Sequence, residues 1–404
     1  MEQGEAEQRL SAFDHRRGWQ LGLLGATATL MMTAGAFLGL GDAGLKVPVD
    51  FHVFWAAARL ALSGDPLAAF DLARIVELTG ISDGGWMPWA YPPGFLMLLM
   101  PLGALPFIAA WAAFTALSLV ALILAVRPLA AGRMQVVCAV ALAPALLPGL
   151  LIGQTSTLWA AGLVAALAAL GTGRPWLAGV FIGLLTLKPQ LGLLIPVALL
   201  AQGAWRAILS ATLTALLLAL LPTALFGTAY WPRMLEMMGT HGETVRGAIG
   251  GLGLMISPYS FLAGLGLPEA LALALQWALT AALALAVWLA WRAPAATFDL
   301  RAAVLLTAIP LASPYLWHYE SALLAPAALF MWRAGVLTPA PLRLTLAALM
   351  WLGLAPAALL LMQTGFENLF RLVFLPIAVT GFALSLGALL RLRNTTPAQA
   401  ANSL

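Results

Sequence analysis

Apolar runs of about twenty residues recur along this chain, separated by short breaks carrying Gly, Pro, Arg and a few other polar residues. A helix that crosses a membrane core of about 30 Å needs roughly twenty apolar residues, because each rises 1.5 Å and the backbone must be satisfied within the helix. Runs near residues 19–40, 91–126, 134–152, 155–171, 175–187, 190–204, 206–226, 269–291, 300–316, 318–332, 343–362 and 371–390 therefore predict about twelve crossings. The stretch 91–126 has room for two, since Pro101 and Pro106 can end a short helix, so thirteen is the alternative count. The first run, after Arg16 and Arg17, exceeds a signal core and lacks a small-residue cleavage site, which predicts a retained span. Two polar stretches, 41–90 and 227–268, are read as large loops, and the polar tail 394–404 is expected to be disordered.

Inside the first loop, Phe51, Phe54, Trp55, Ala58 and Leu62 share one helical stripe while His52, Arg59 and Ser63 share another. That pattern predicts an amphipathic helix lying at the membrane interface. Asp50 stands at its start, where a carboxylate can cap the helix and meet its dipole.

Composition agrees with the pattern: 62% of the 404 residues are hydrophobic and 9% charged, with a mean hydropathy of +0.95. A soluble globule is excluded, and a single all-α polytopic membrane domain over 1–404 is expected. The net charge of +4 does not point to nucleic acid, because the basic residues occur singly or in pairs at segment ends. With the N-terminus inside and one crossing at 91–126, Arg133, Arg174, Arg206, Arg292, Arg301, Arg333, Arg343, Arg391 and Arg393 fall on the cytoplasmic side and the large loops outside. Cys138 is the single cysteine, so no intrachain disulfide forms.

Acidic residues are uneven; none occurs between Asp83 and Glu236. Acid-base chemistry therefore has few candidates: Asp50, Glu320 and Glu243. Four further patches fall at segment ends on the side of Asp50: Tyr91-Pro92-Pro93, Gly153-Gln154-Thr155-Ser156, Leu187-Lys188-Pro189-Gln190 and Ser313 through Glu320. Lys188 interrupts an apolar stretch, where an ammonium either snorkels to the interface or meets an anion such as a lipid phosphate. His318, between Trp317 and Tyr319, is either an aromatic-belt residue or a donor to a phosphate oxygen. Gln154 reads most simply as a helix-start hydrogen bonder, and Arg233, His241, Glu243 and Arg246 as a solvated face that is also able to bind an acceptor. No phosphate-binding Gly-rich loop, His-Glu-x-x-His, paired Cys, Gly-x-Ser-x-Gly or Asp-x-Asp pair is present, which favours a metal-free reaction without a cofactor.

Taken in order, Asp50-Phe51-His52-Val53-Phe54-Trp55 with Gly64-Asp65-Pro66, Tyr91-Pro92-Pro93, Gly153-Gln154, Lys188-Pro189 and Ser313-Pro314 through Tyr319 resemble glycosyltransferase family 87, over about residues 15–392. The resemblance implies a GT-C fold and a polyprenyl-phosphate-sugar donor, usually the mannose form, used from the extracytoplasmic side of the plasma membrane. It implies Asp50 as the catalytic base, Lys188 and His318 as donor-phosphate ligands, and inversion at the sugar. His52, Arg59, Tyr91, Gln154, Gln190, Trp317, Tyr319 and Glu320 complete the expected substrate site, with a lipid or glycan as acceptor. A lipid-linked sugar transporter is the competing reading, since intramembrane Lys and Gln beside Pro-broken helices also mark substrate paths. A third is an assembly subunit in which Asp50 only caps and Lys188 only snorkels.

Overall fold

The computed structural model describes residue 20, residues 23–27, 31, 49–80, 88–248, 253–337, 340–356 and 369–394. Most of the expected first span, the tail after 394 and the later part of the 343–362 run lie outside the described residues. Helices are numbered here in chain order: α1 Val49–Leu62, α2 Leu72–Thr79, α3 Pro93–Gly103, α4 Phe107–Val126, α5 Met134–Ala141, α6 Leu147–Ile152, α7 Ser156–Gly171, α8 Pro175–Leu185, α9 Ile195–Gln202, α10 Trp205–Phe226, α11 Tyr230–Ala248, α12 Pro258–Gly264, α13 Glu269–Arg292, α14 Phe298–Ala312, α15 Leu324–Arg333, α16 Pro341–Leu352 and α17 Leu369–Asn394. The protein is an all-α polytopic membrane protein.

Among the described residues five stretches are long and apolar enough to cross a membrane: Phe107–Leu129, Met134–Ile152, Trp205–Phe226, Glu269–Arg292 and Phe370–Leu392. Other expected crossings that are described are shorter or broken. Among them α7 spans about 24 Å and α8 about 16 Å at 1.5 Å per residue, less than the membrane core. The 91–126 run divides at Leu105–Pro106 into α3 and α4. The 190–204 run holds a single 3-10 turn, Pro189–Leu191, followed by α9. Pro106 and Pro189 at these points lack the N–H that a continuing helix needs, and lipid does not tolerate the freed carbonyls unless they are enclosed by protein or line a cavity.

The enclosure is provided by α14, whose residues from Ala302 to Ala312 are all buried, packed between α13, α15 and α17. At its C-terminal end the orphan carbonyls have partners from α13: Gln276 Nε2 donates to Leu311 O at 3.0 Å and Thr280 Oγ1 to Ala312 O at 2.7 Å. The chain then runs extended, and Ile256 N to Leu316 O and His318 N to Leu254 O, each 2.8 Å, join it to the second large loop. At the opposite end of the helices Arg333 Nε meets Asp299 at 2.9 Å and Arg301 donates to Ala293 O at 2.8 Å. By contrast, α10 turns Leu209, Leu213, Leu217, Leu220 and Leu225 outward as an apolar surface.

Two sequence expectations change here. The helix α1 does not lie on a surface along one apolar stripe: Phe51, Val53, Phe54, Ala56–Ala58, Leu60 and Ala61 are buried all round it, with Arg59 and Leu62 exposed. Small residues permit this, since a Cβ on Gly103 of α3 would stand 2.7 Å from the Ala58 carbonyl carbon. The second large loop is also mostly helical, as α11 and α12.

Candidate active site

Asp50 opens α1 and is only partly buried. Its carboxylate accepts from Gln154 Nε2 at 2.7 Å, a residue 104 positions away, so it is tied to another helix break and does not cap its own helix. Gln154 follows Gly153, whose φ of +76° ends α6 and whose absent side chain lets Phe51 Cβ approach to 2.4 Å from where a Cβ would stand. Burial pushes the Asp50 carboxyl up to about 6, against the bond from Gln154 and the charge of Lys188, which both lower it. An aromatic frame fixes α1 on the other side. Phe54 meets Trp89, Tyr91 and Phe95 edge-on, and Tyr230 accepts from Trp89 Nε1 at 2.6 Å while donating to Tyr91 O at 3.1 Å.

Lys188 stands at the break between α8 and α9 and is 5% exposed. It neither snorkels nor stays free: its ammonium forms an ion pair with Glu320 and lies 4.8 Å from the centre of the Tyr319 ring. Glu320 belongs to the 3-10 turn His318–Leu323 and is 1% exposed; its Oε2 has no hydrogen-bond partner among the described residues. The same holds for His318 Nδ1 and for the hydroxyls of Thr155, Ser156 and Thr157 at the start of α7. Five buried polar atoms without partners thus gather in two segments, although such atoms are rare in folded proteins. A cluster of this kind marks a place built for a ligand, water or a moving proton.

A cavity of about 1110 Å³ joins these parts. Asp50, His52, Tyr91, Lys188, Gln190, Trp317, His318 and Tyr319 line it. Gln154 and Glu320 stand behind that wall, holding Asp50 and Lys188. Arg59 is not brought to the site; it is exposed over the Trp55 ring at 5.3 Å. His52 stacks on Phe107 with ring centres 3.9 Å apart.

Several lining residues, Trp231, Met234, Leu235 and Met238 of the second-loop helix α11, have no site signal in the sequence. They cover the cavity together with His241, Glu243 and Arg246, three of the four second-loop residues read as able to bind an acceptor, while the fourth, Arg233, pairs outward with Glu236 at 3.0 Å. The spacing of Trp231, Met234, Leu235 and Met238 was the available clue, being one helical stripe. Leu218 and Ala219 of α10 and Ile75 and Val76 of α2 continue this apolar wall. The cavity is therefore amphipathic: an acid, a paired base and imidazoles at one end and a hydrocarbon-lined space toward α10 and α11. Behind it, Arg371 of α17 donates to Ser260 O and Phe370 stacks near His318 at 5.7 Å, so the last helix braces the His318 segment.

A family model described as glycosyltransferase family 87 matches residues 89–314, more than half of the chain. No curated protein and no solved structure matches. The matched residues include Tyr91, Gln154 and Lys188 but neither Asp50 nor the segment Trp317–Glu320, which join them through the contacts above.

Proposed function

The chain belongs to glycosyltransferase family 87, and from that premise we propose that this membrane glycosyltransferase moves a sugar, with mannose the expected one, from a polyprenyl-phosphate donor to a lipid or glycan acceptor at the extracytoplasmic face of the plasma membrane. The observation that carries the reading is the joining, in one amphipathic cavity, of a desolvated carboxylate at Asp50 and a buried ammonium at Lys188. A GT-C arrangement fits a chain whose catalytic groups sit at helix breaks.

In the proposed reaction the Asp50 carboxylate takes the proton of the acceptor hydroxyl as its oxygen attacks the anomeric carbon. The bond from that carbon to the phosphate oxygen breaks on the opposite face, converting a β-linked donor into an α-glycoside. The departing phosphate needs cationic and hydrogen-bond partners, which Lys188 and His318 supply from the cavity wall. Gln154 keeps the carboxylate aimed, and the apolar side toward α10 and α11 takes the isoprenoid chain. Among the described residues no group of three or more His, Cys, Asp or Glu side chains is gathered.

The test is transfer of radiolabelled sugar from polyprenyl-phosphate-mannose to lipid and glycan acceptors by purified protein in EDTA, wild type beside Asp50→Asn. Transfer by the wild type alone is expected. Equal transfer by both proteins refutes Asp50 as the base, and donor binding without transfer by either favours a transporter.

A further inference from the structure

Lys188 lines the cavity, whereas its partner Glu320 does not and is almost wholly enclosed, the two side chains being 6% and 1% exposed. The ammonium is thus already neutralised from behind. Counting the buried end, Asp50 and Glu320 oppose one Lys188, so with Asp50 ionised and the imidazoles neutral the formal sum is negative. A phosphodiester adds a further negative charge to a space shielded from water. The site as it stands repels the group it is proposed to hold.

Among the described residues the cavity's other charged side chains, Glu243 and Arg246, lie on the covering helix α11, where Arg246 pairs with Glu269 at 3.7 Å. The segments packed against the Glu320 turn are α6, α7, the Pro144–Leu146 turn, α14 and α15. The first three bring no charged side chain, and α7 begins with the hydroxyls of Thr155, Ser156 and Thr157. Asp299, Arg301 and Arg333 of α14 and α15 are engaged at the far end. Tyr91 and Tyr319 are neutral phenols, and Arg371 is turned to Ser260 O. His318 is the remaining titratable neighbour, with Nδ1 unpartnered. If the phosphate draws Lys188 toward the cavity, Glu320 becomes a buried anion without a counterion, a state so costly that such groups neutralise instead.

We infer that donor binding exchanges the counterion of Lys188: the phosphate takes the ammonium from Glu320, and Glu320 takes one proton from solvent in the same step. Only that proton moves; no covalent bond other than the new O–H forms. The inference rests on the donor-phosphate reading above. It accounts for Glu320 Oε2 being left without a partner in a turn packed against α7, whose first hydroxyls are also unengaged, since a hydroxyl can donate to a carboxylate and accept from a carboxylic acid. Glu320 is in these terms a positioning residue. It keeps Lys188 charged within an apolar wall while the site is empty and releases it when the donor arrives.

The test is calorimetric titration of the full-length protein in detergent with a short-chain polyprenyl-phosphate-mannose, a phosphodiester whose own charge does not change between pH 6 and 9. Repeating it at pH 7 in buffers of different ionisation enthalpy counts the protons bound with the ligand. The wild type and Asp50→Asn are expected to take up about one proton per donor, with Kd rising up to about tenfold per pH unit where that proton is taken. Glu320→Gln is expected to take up none and to show a flat Kd. Binding by the wild type without proton uptake overturns the inference. So does uptake that persists in Glu320→Gln, which would assign the proton to Asp50 or His318. Should Glu320→Gln fail to fold, His318→Gln decides: uptake kept in it and in Asp50→Asn supports the inference, and uptake lost in it overturns the inference. Absence of binding by every protein in every buffer refutes the donor-phosphate reading and this inference with it.

Discussion

At the scale of single residues the protein places a carboxylate where it is strained electrostatically. Asp50 has its pKa raised from 3.8 to about 6, so the folded state holds the proton more tightly than the unfolded chain. Stability from this group is then complete below the unfolded value and is lost as pH rises through the folded one. At about 1.4 kcal/mol per unit, the ionised carboxylate costs the fold up to about 3 kcal/mol at neutral pH. Phe51 and Phe54, both at 0% exposure, each return roughly 1.5–3 kcal/mol by burial, and so α1 stays docked. Asp50→Asn is therefore expected to lower transfer by about 10²- to 10⁴-fold while leaving thermal stability at pH 7 unchanged or raised; a clear loss of melting temperature would show that Asp50 has a structural role instead. The same logic gives a pH profile for the wild type, with kcat/KM falling below about pH 6 as Asp50 takes a proton. A profile flat from pH 5 to 8 would sink the assignment. Asp50 and Lys188 stood out in the sequence as candidate site residues because a charge in an apolar chain needs a reason. Their partners were less so: Gln154 read as a helix-start residue, and nothing in the spacing pairs Lys188 with a residue 132 positions away.

At the scale of elements, the candidate site lies where helices stop. Gly153 ends α6 with a φ of +76°, and a methyl group there would meet Phe51 Cβ at 2.4 Å, one residue from Asp50. Gly153→Ala is expected to cost about 1–3 kcal/mol through backbone strain and overpacking and to reduce transfer more than Gly239→Ala, whose added methyl meets nothing within 4 Å. Assay of both variants beside their melting curves checks this. A second element-scale dependence lies in α13. Gln276→Leu would leave Leu311 O without its donor at the end of α14, just before the extended segment that carries His318. The expected loss is about 1–3 kcal/mol, the cost of an unsatisfied buried carbonyl, measured as a drop in melting temperature. Element existence was readable from the apolar runs, and Pro106 correctly offered a break inside 91–126. What the runs concealed was helix length and enclosure. A hydropathy pattern gives no reason to end α8 at Leu185 or to surround α1, because apolar residues facing protein and apolar residues facing lipid look alike.

At the scale of the whole molecule the two ends of the helices are chemically different, and that difference predicts orientation. α4, α7, α13 and α15 end, and α8, α10 and α14 begin, near Arg127, Arg133, Arg174, Arg206, Arg292, Arg301 and Arg333, while the opposite end carries Asp50, Gln154, Lys188 and Glu320. The arginine-rich end is the one that the positive-inside rule keeps in the cytoplasm, which directs the cavity outward. The covering helix α11 reinforces the point. Its stripe of Trp231, Met234, Leu235 and Met238 faces the cavity while Arg233 and Glu236 pair at the surface, as suits a segment between solvent and a lipid substrate. The orientation is testable without any assay of transfer. In a Cys138→Ala background, Gly239→Cys on α11 and Thr172→Cys after α7 introduce single thiols at exposed positions of the two ends. A membrane-impermeant maleimide applied to intact spheroplasts is expected to label Gly239→Cys and to reach Thr172→Cys only after the membrane is opened. The reverse pattern would turn the cavity to the cytoplasm, where an acceptor on the outer face could not reach Asp50, and the proposed direction of transfer would fall. Labelling of both from outside would break the link between arginine-rich ends and the cytoplasm for this chain, because one membrane separates them only if the helices between Thr172 and Gly239 cross it an odd number of times.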